Sequence, residues 1–395
     1  MPPPPETGGS CPPHLRHGSH PMFLSLRDIT FAKGRFALLA TVVALITLLL
    51  VLLTGLTNGL GHQNTSALER LAAQHLVLSA PPGDSGTSSF TTSQITDGEL
   101  QRWRDGVGKD SVERLGITQA SARSGAETQD ASTTTSRAGT TAAAAIALEP
   151  SSKLAPDLKA SSGQTHPDEG QVVLSSTLAD DMHVSVGDTV SMGGKALKTT
   201  GVVEDEYYSH VPVVWMSMAD FPAVAHTTSD EQATALALTT QDYPQELPGD
   251  TDTVAMSTKE AFAALPAYES ERGSLLMMQG FLYGISALVV VSFLTVWTIQ
   301  RTRDIAVLRA LGADRGYVVR DSIVQAAVVL TLGVLVGGAL GLLGGLLAGS
   351  AVPFQLSLAS VGLPVLGVLV LGLLGSLLAV RRVSTVDPMI ALGGN

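Results

Sequence analysis

The chain has 395 residues, 45% of them hydrophobic and only 15% charged, with a formal net charge of −11. Soluble domains carry about 25% charged residues, so an ordinary soluble enzyme is disfavoured, and the acidic total argues against nucleic acid as a partner. The single cysteine, Cys11, leaves no intramolecular disulfide to form.

Residues 1–21 combine a proline run, a Gly-Gly-Ser and His14, His17 and His20 without any apolar period. A histidine metal tract competes with a non-native extension ahead of Met22, and the extension is preferred. On that reading no cysteine belongs to the native chain, so zinc-thiolate sites and thiol catalysis are excluded as well. Residues 22–35 form a short basic segment.

Three uncharged runs follow: 25 residues at 36–60, 27 at 274–300 and 59 at 322–380. About 20 residues cross a bilayer, so the last run folds back once, near Pro353. The expected spans are 36–61, 273–300, 322–350 and 357–380. The first is too long for a signal peptide and lacks a small-residue cleavage site.

Arg27, Lys33, Arg35, Arg301, Arg303, Arg309, Arg315, Arg320, Arg381 and Arg382 all fall on one side of four spans. The excess of basic residues marks that side as cytoplasmic. Both termini are then inside, and residues 62–272 lie outside, with 13 Lys+Arg against 29 Asp+Glu. The fold class is an α-helical membrane protein with four transmembrane helices and an α+β extracytoplasmic domain inserted between helices 1 and 2.

Within 62–272, residues 121–145 are rich in Ser, Thr, Ala and Gly and are expected to be a loop or weakly ordered insert. A strand at 171–174, a helix at 175–182 and a turn into a strand at 184–190 follow. Gly193-Gly194 marks a hairpin, and strands at 196–203 and 211–216 complete a small β-rich core. Residues 219–225 and 259–265 read as helical. Glu204-Asp205-Glu206 suits a hard cation, but without a spaced ligand loop a solvated turn is the preferred reading. His75, His183, His210 and His226 stand singly. No Gly-x-Ser-x-Gly elbow or His-Glu-x-x-His pair is present, so no catalytic constellation is expected.

The segment 301–321 opens with an amphipathic helix that ends at Gly312. By itself it suits either an anionic lipid surface or a groove on a cytoplasmic partner. In the third span Gly333, Gly337, Gly341, Gly345 and Gly349 recur every four residues, a stripe for close helix packing whose partner is left open. The chain lacks Gly-x4-Gly-Lys-[Ser/Thr], so it does not cradle a nucleotide through that loop, and energy must come from elsewhere.

Arg301-Thr-Arg-Asp-Ile-Ala-Val-Leu-Arg-Ala-Leu-Gly-Ala resembles the segment after the second span in FtsX/MacB-type (type VII) permeases of ATP-binding-cassette transporters. Arg381-Arg-Val-Ser-Thr-Val-Asp-Pro-Met-Ile-Ala-Leu is similar to that family's ending. Gly187-Asp-Thr-Val and Gly201-Val-Val-Glu-Asp fit its external domain, and the resemblance covers Met22 to the end. It implies a transmembrane subunit that is not itself an enzyme, with ATP and Mg on a separate ABC ATPase. Two permeases, a homodimer, would work with two ATPase copies. Arg301, Arg303, Asp304, Leu308, Arg309 and Gly312 would then form the coupling helix that docks on the ATPase, and the tail would be 381–395.

The block from Phe23 to Phe36, and Leu56-Thr-Asn-Gly-Leu-Gly-His-Gln-Asn-Thr-Ser-Ala, resemble haem-exporter permeases of the HrtB-like group. That resemblance implies haem as substrate, taken sideways from the outer leaflet of a bacterial cell membrane. Haem iron takes His, Met, Tyr or carboxylate ligands. The candidates near the outer span ends are Glu69, His62, His75, Tyr268, Met277, Met278 and Tyr283, with Arg272 for a propionate. Glu69 is preferred as the first charge after 33 uncharged residues; a simple ion pair with Arg70 is the alternative. A lipid, lipopeptide or antimicrobial peptide, or signalling to a cell-wall hydrolase, remain rival roles.

Overall fold

The computed structural model describes residues 33–80, 87–125, 139–228, 230–266, 268–300, 315–349 and 352–384. The expected extension 1–21, all six coupling residues between Arg301 and Gly312, and the tail beyond 384 lie outside them. The chain divides into two units, Met1–Leu52 with Gln279–Gly344 and Ser357–Asn395, and Leu53–Met278 with Gly345–Leu356.

Among the described residues four helices are long and apolar enough to cross a membrane: α1 (Lys33–Arg70), α6 (Tyr268–Gln300), α7 (Arg315–Ala348) and α8 (Leu358–Ser384). α1 continues past the expected end at residue 61, and α8 past residue 380. In the first unit Phe36, Leu39, Val43, Ile46 and Leu50 of α1 pack on Val290 and Leu294 of α6, Ala326 to Val334 of α7, and Val368 and Ala379 of α8. The Phe36 ring meets Trp297 edge-on at 4.7 Å. The buried hydroxyls of Thr47 and Ser376 return to their own helices, donating to the Val43 carbonyl at 2.8 Å and the Leu373 carbonyl at 2.7 Å, which satisfies them where lipid offers no partner. The opposite faces, with Phe281, Leu288, Leu335 and Leu343 exposed, are apolar as a lipid-facing surface requires.

Three glycines of the stripe, Gly333, Gly337 and Gly341, meet α1. A Cβ on Gly333 would lie 2.9 Å from Val43 Cγ1, and one on Gly341 would lie 2.7 Å from Val51 Cγ1. At Gly337 it would strike the Ala44 carbonyl itself. Glycine is what lets the two backbones approach.

The second unit holds an eleven-stranded sheet along the path β13-β1-β12-β3-β4-β10-β6-β8-β5. Its strands are β1 (His75–Ser79), β3 (Val112–Ser124), β4 (Thr140–Leu148), β5 (Ala160–Gly163), β6 (Gln171–Ser175), β7 (Thr189–Met192), β8 (Lys195–Val203), β9 (Tyr207–Tyr208), β10 (Val211–Ser217), β12 (Ala235–Leu238) and β13 (Thr253–Ser257). β7 pairs with β3 and β8, and β9 with β10. A separate ribbon joins β2 (Ile95–Thr96) and β11 (Glu231–Ala233). Short helices α2 (Asp97–Val107), α3 (Ser176–Met182), α4 (Phe221–Ala225) and α5 (Leu247–Asp250) cover the faces. The segment expected to be helical at 259–265 is a 3-10 turn, Glu260–Ala264.

The insert expected at 121–145 is overturned at both ends. β3 and β4 pair antiparallel from Gly116↔Ala147 to Arg123↔Thr140, and Ala143 to Ala147 are wholly buried. Alanine is a poor strand former by propensity, but β4 lies between β3 and β10 with both faces covered. Ala144 and Ile146 join Leu115, Val173, Val213 and Trp215 on one side. Ala143, Ala145 and Ala147 meet Leu178 and Met182 of α3 and Phe221 of α4 on the other.

The hairpin between β7 and β8 turns at Gly193 and Gly194, with φ of 57° and 82°, the two left-handed positions a tight primed turn needs. A third cluster surrounds Trp103 of α2. Its indole donates to Thr253 Oγ1 at 3.1 Å, and Thr96 and Glu99 close a capping box at the start of α2.

Candidate functional site

The outer end of α1 is where polar chemistry collects. After the apolar run, Asn58, His62, Thr65 and Glu69 recur at spacings of three and four, so they share one helix face. Ala67, Leu68 and Leu71 instead enter the core of the external domain.

The turn between β9 and β10 holds this end of the helix. Ser209 and His210 are left-handed, with φ of 48° and 68°. Their N–H groups donate to the carbonyls of Asn64 and Gln63 at 3.1 and 2.9 Å, and Tyr207 N–H donates to Ser66 Oγ at 2.8 Å. The Glu206 side chain is 1% exposed and meets Arg70 Nε at 2.5 Å, while Glu204 lies 3.6 Å from the same guanidinium.

The preferred reading of Glu204-Asp205-Glu206 as a solvated turn is therefore corrected. Glu206 is buried against α1, and Asp205 accepts from the Thr177 N–H and the hydroxyls of Ser176 and Thr177, capping α3. Among the described residues no group of acidic, His or Cys side chains is arranged to hold a metal ion. Burial raises the Glu206 carboxyl above the usual range, and Arg70 opposes that shift. Burial also raises the phenols of Tyr207 and Tyr208.

With Arg70 engaged by Glu206 and Glu204, the alternative of a Glu69–Arg70 pair is also corrected. Glu69 accepts from Thr65 Oγ1 at 2.7 Å and lines a cleft of about 310 Å³. His62, Asn64 and Thr65 line it from α1, Tyr268, Glu271 and Arg272 from the start of α6, and Gln355 from the α7–α8 crossover. The Tyr268 ring stands edge-on to Phe262. The crossover docks on α1 through glycines: Gln355 N–H donates to the Gly55 carbonyl at 3.1 Å, and Pro353 and Phe354 occupy the space a side chain at Gly59 or Gly55 would fill.

One corner of the cleft is a polar knot. His210 Nε2 lies 2.9 Å from Glu271 Oε2, and Asn64 Nδ2 donates to the same carboxylate oxygen at 3.2 Å. Two acceptors do not approach to 2.9 Å without a proton between them, so His210 donates to Glu271. Asn64 Oδ1 is buried without a partner.

Of the eight substrate candidates, His62, Glu69, Tyr268 and Arg272 line the cleft, and His75 and Tyr283 do not. Met277 and Met278 are outside its lining and exposed, at 63% and 53%. Asn64, Glu271 and Gln355 were not singled out. The polar period on α1 marks the face that holds His62 and Glu69; Glu271 and Gln355 reach the cleft only through tertiary contact.

The chain matches two family models: "MacB-like periplasmic core domain" over residues 18–254 and "FtsX-like permease C-terminal" over residues 276–388. It is 24% identical over 380 residues to a protein of Staphylococcus haemolyticus named as a putative hemin transport system permease protein HrtB, covering 94% of this chain and 99% of that one. It is 27% identical over 374 residues to an uncharacterized ABC transporter permease of Mycobacterium tuberculosis, with the same coverage. Among solved structures, the extracellular domain of the transporter YknZ from Gram-positive bacteria is similar at 15% identity and a TM-score of 0.30, over 45% of this chain and 87% of that one.

Proposed function

Because the chain belongs to the FtsX/MacB-type (type VII) family of ATP-binding-cassette transporter permeases, we propose that it is the membrane half of a dimeric exporter that draws haem from the outer leaflet of a bacterial cell membrane. The family implies an ATPase partner. In this reading two ATPase copies bind ATP and Mg and dock on residues 301–312 of two permease copies, with both termini cytoplasmic.

The observation that carries the haem reading is the cleft itself. Glu69, released from Arg70, stands with His62 and Tyr268 as iron ligands of the anionic and imidazole types, and Arg272 offers a donor pair for a propionate. At about 310 Å³ the cleft is at the small end of ligand sites, so a second copy completes the enclosure. ATP-driven closure moves the coupling helices, the outer ends of α1 and α6 approach, and the substrate leaves outward without an aqueous pore.

A hemin titration of the purified permease with its ATPase tests this. A saturable Soret shift near one haem per dimer, lost in Glu69→Ala, is the expected result. Absence of any saturable shift refutes haem as cargo and leaves the permease assignment standing.

A second reading rests on the acceptor excess in the same cleft. Glu69 and Glu271 line the cleft with a single arginine, Arg272, a set that suits an amine-bearing amphiphile such as a lipopeptide or antimicrobial peptide. Such a cargo would stimulate ATPase activity where hemin does not.

A further inference from the structure

Thr65 stands one turn before Glu69 on α1 and is only 2% exposed. Its hydroxyl lies within hydrogen-bond distance of two acceptors, the Gly61 carbonyl at 3.0 Å and Glu69 Oε1 at 2.7 Å. A hydroxyl has one proton to donate. Thr47 and Thr57 of the same helix donate to the carbonyl four residues back, at 2.8 and 2.7 Å. At Thr65 the carbonyl is the longer contact and the carboxylate the shorter. A carboxylate is a stronger acceptor than a peptide carbonyl, and the Gly61 carbonyl already receives a backbone N–H within the helix. The Thr65 proton therefore goes to Glu69.

The consequence falls on the other carboxylate oxygen. Glu69 is exposed and lines the cleft, and its neighbour Arg70 is engaged by Glu206 and Glu204. Among the described residues Glu69 Oε2 makes no hydrogen bond or ion pair. An exposed glutamate normally gives up rotamer freedom when it binds; here a buried donor has already fixed one oxygen. Threonine is β-branched and stiff at χ1. Both residues belong to one helix, so the pair keeps its geometry when α1 moves as a body.

We propose that Thr65 is a positioning residue for the substrate iron: its hydroxyl holds Glu69 Oε1 and leaves Oε2 as a single-oxygen ligand for ferric haem. The inference rests on the haem reading above. Carboxylates that ligate a metal are themselves hydrogen-bonded, and loss of such a partner weakens metal binding about 10–100-fold. The arrangement favours a porphyrin that carries iron and does nothing for one that lacks it.

The test uses the full-length permease with its ATPase in nanodiscs and two probes, hemin, read at its Soret band, and metal-free protoporphyrin IX, read by fluorescence. Thr65→Val removes the hydroxyl and keeps the branched shape, and Thr65→Ser keeps the hydroxyl. The expected result is hemin affinity about tenfold weaker in Thr65→Val and within about twofold of the unsubstituted protein in Thr65→Ser. The Soret maximum at saturation should move in Thr65→Val, and protoporphyrin affinity should be equal in all three proteins. Unchanged hemin affinity in Thr65→Val overturns the proposal. An equal loss of hemin and protoporphyrin also overturns it, because Thr65 then serves packing alone. Absence of any saturable hemin shift in the unsubstituted complex is a different failure: it refutes haem as cargo, and the role of Thr65 falls with it.

Discussion

Gly337 allows the packing of α7 on α1 to be tested by one carbon atom. A Cβ there would meet the Ala44 carbonyl at less than contact distance, the Ala44 Cα at 2.9 Å and Thr47 Cβ at 2.8 Å. Two of these three atoms are backbone, so no rotamer change relieves them and α1 itself must move. Gly344 in the same helix meets only Leu52 Cδ2, at 3.4 Å, which is the end of a flexible side chain. Replacing glycine by alanine inside a helix gains up to about 1 kcal/mol, whereas overpacking a tight core costs about 1–3 kcal/mol. Gly344→Ala should therefore be neutral or more stable, by up to about 1 kcal/mol. Gly337→Ala should lose about 1–2 kcal/mol net. Reversible denaturation of the detergent-solubilised permease, run on both variants side by side, measures the difference. A Gly337→Ala protein as stable as Gly344→Ala would refute the close approach of the two backbones.

The remaining predictions concern the external domain and the cytoplasmic segment. Arg70→Met leaves Glu206 buried without its partner; breaking a fully buried pair costs about 3–5 kcal/mol, and because Arg70 is 35% exposed about 2 kcal/mol is expected in thermal melts. The Glu206 carboxyl is raised in the folded state, so its favourable contribution is complete below its unfolded value and is lost as pH rises through its folded one. The Arg70→Met defect should accordingly shrink as pH is lowered from about 8 to about 5 in the same melts; a pH-independent defect would contradict the pairing. Thr96→Ala removes the capping box of α2 and should cost about 1 kcal/mol, read by hydrogen exchange at the start of that helix. Arg309→Glu should abolish coupling between ATPase activity and export in reconstituted vesicles while the permease stays folded.

The spans were legible because hydrocarbon tolerates no charge: the first two uncharged runs each correspond to one long helix, and the 59-residue run to two joined near Pro353. The second half of the external domain was legible for local reasons: Gly193-Gly194 announces its turn, and β6, β8 and β10 read as apolar strands. The first half was not. β4 is an alanine run whose composition suggests a linker, and only burial on both faces by partners distant in sequence makes it the centre of a sheet. The cleft was legible on the α1 side, where His62 and Glu69 interrupt a long apolar helix. On the α6 side Tyr268 and Arg272 were legible too, but Glu271 was hidden as one of several charges at the start of that helix, and the role of His210 depends on a turn that brings it to Asn64. Glu206 was misread since a run of three acids normally faces water; its partner Arg70 is more than a hundred positions away.

In the turn that begins at Glu204, adjacent side chains serve different masters. Asp205 fastens α3 of the domain's own layer, Glu206 seizes α1, and Ser209 and His210 lock the same helix through its carbonyls. This has a practical meaning for building hybrids between relatives. An external domain grafted from another permease brings its own version of that turn and meets a foreign helix end, so a junction placed at the edge of the domain separates a lock from its key. Grafts that carry residues 63–70 together with 204–210 keep both halves, and these are the ones expected to assemble.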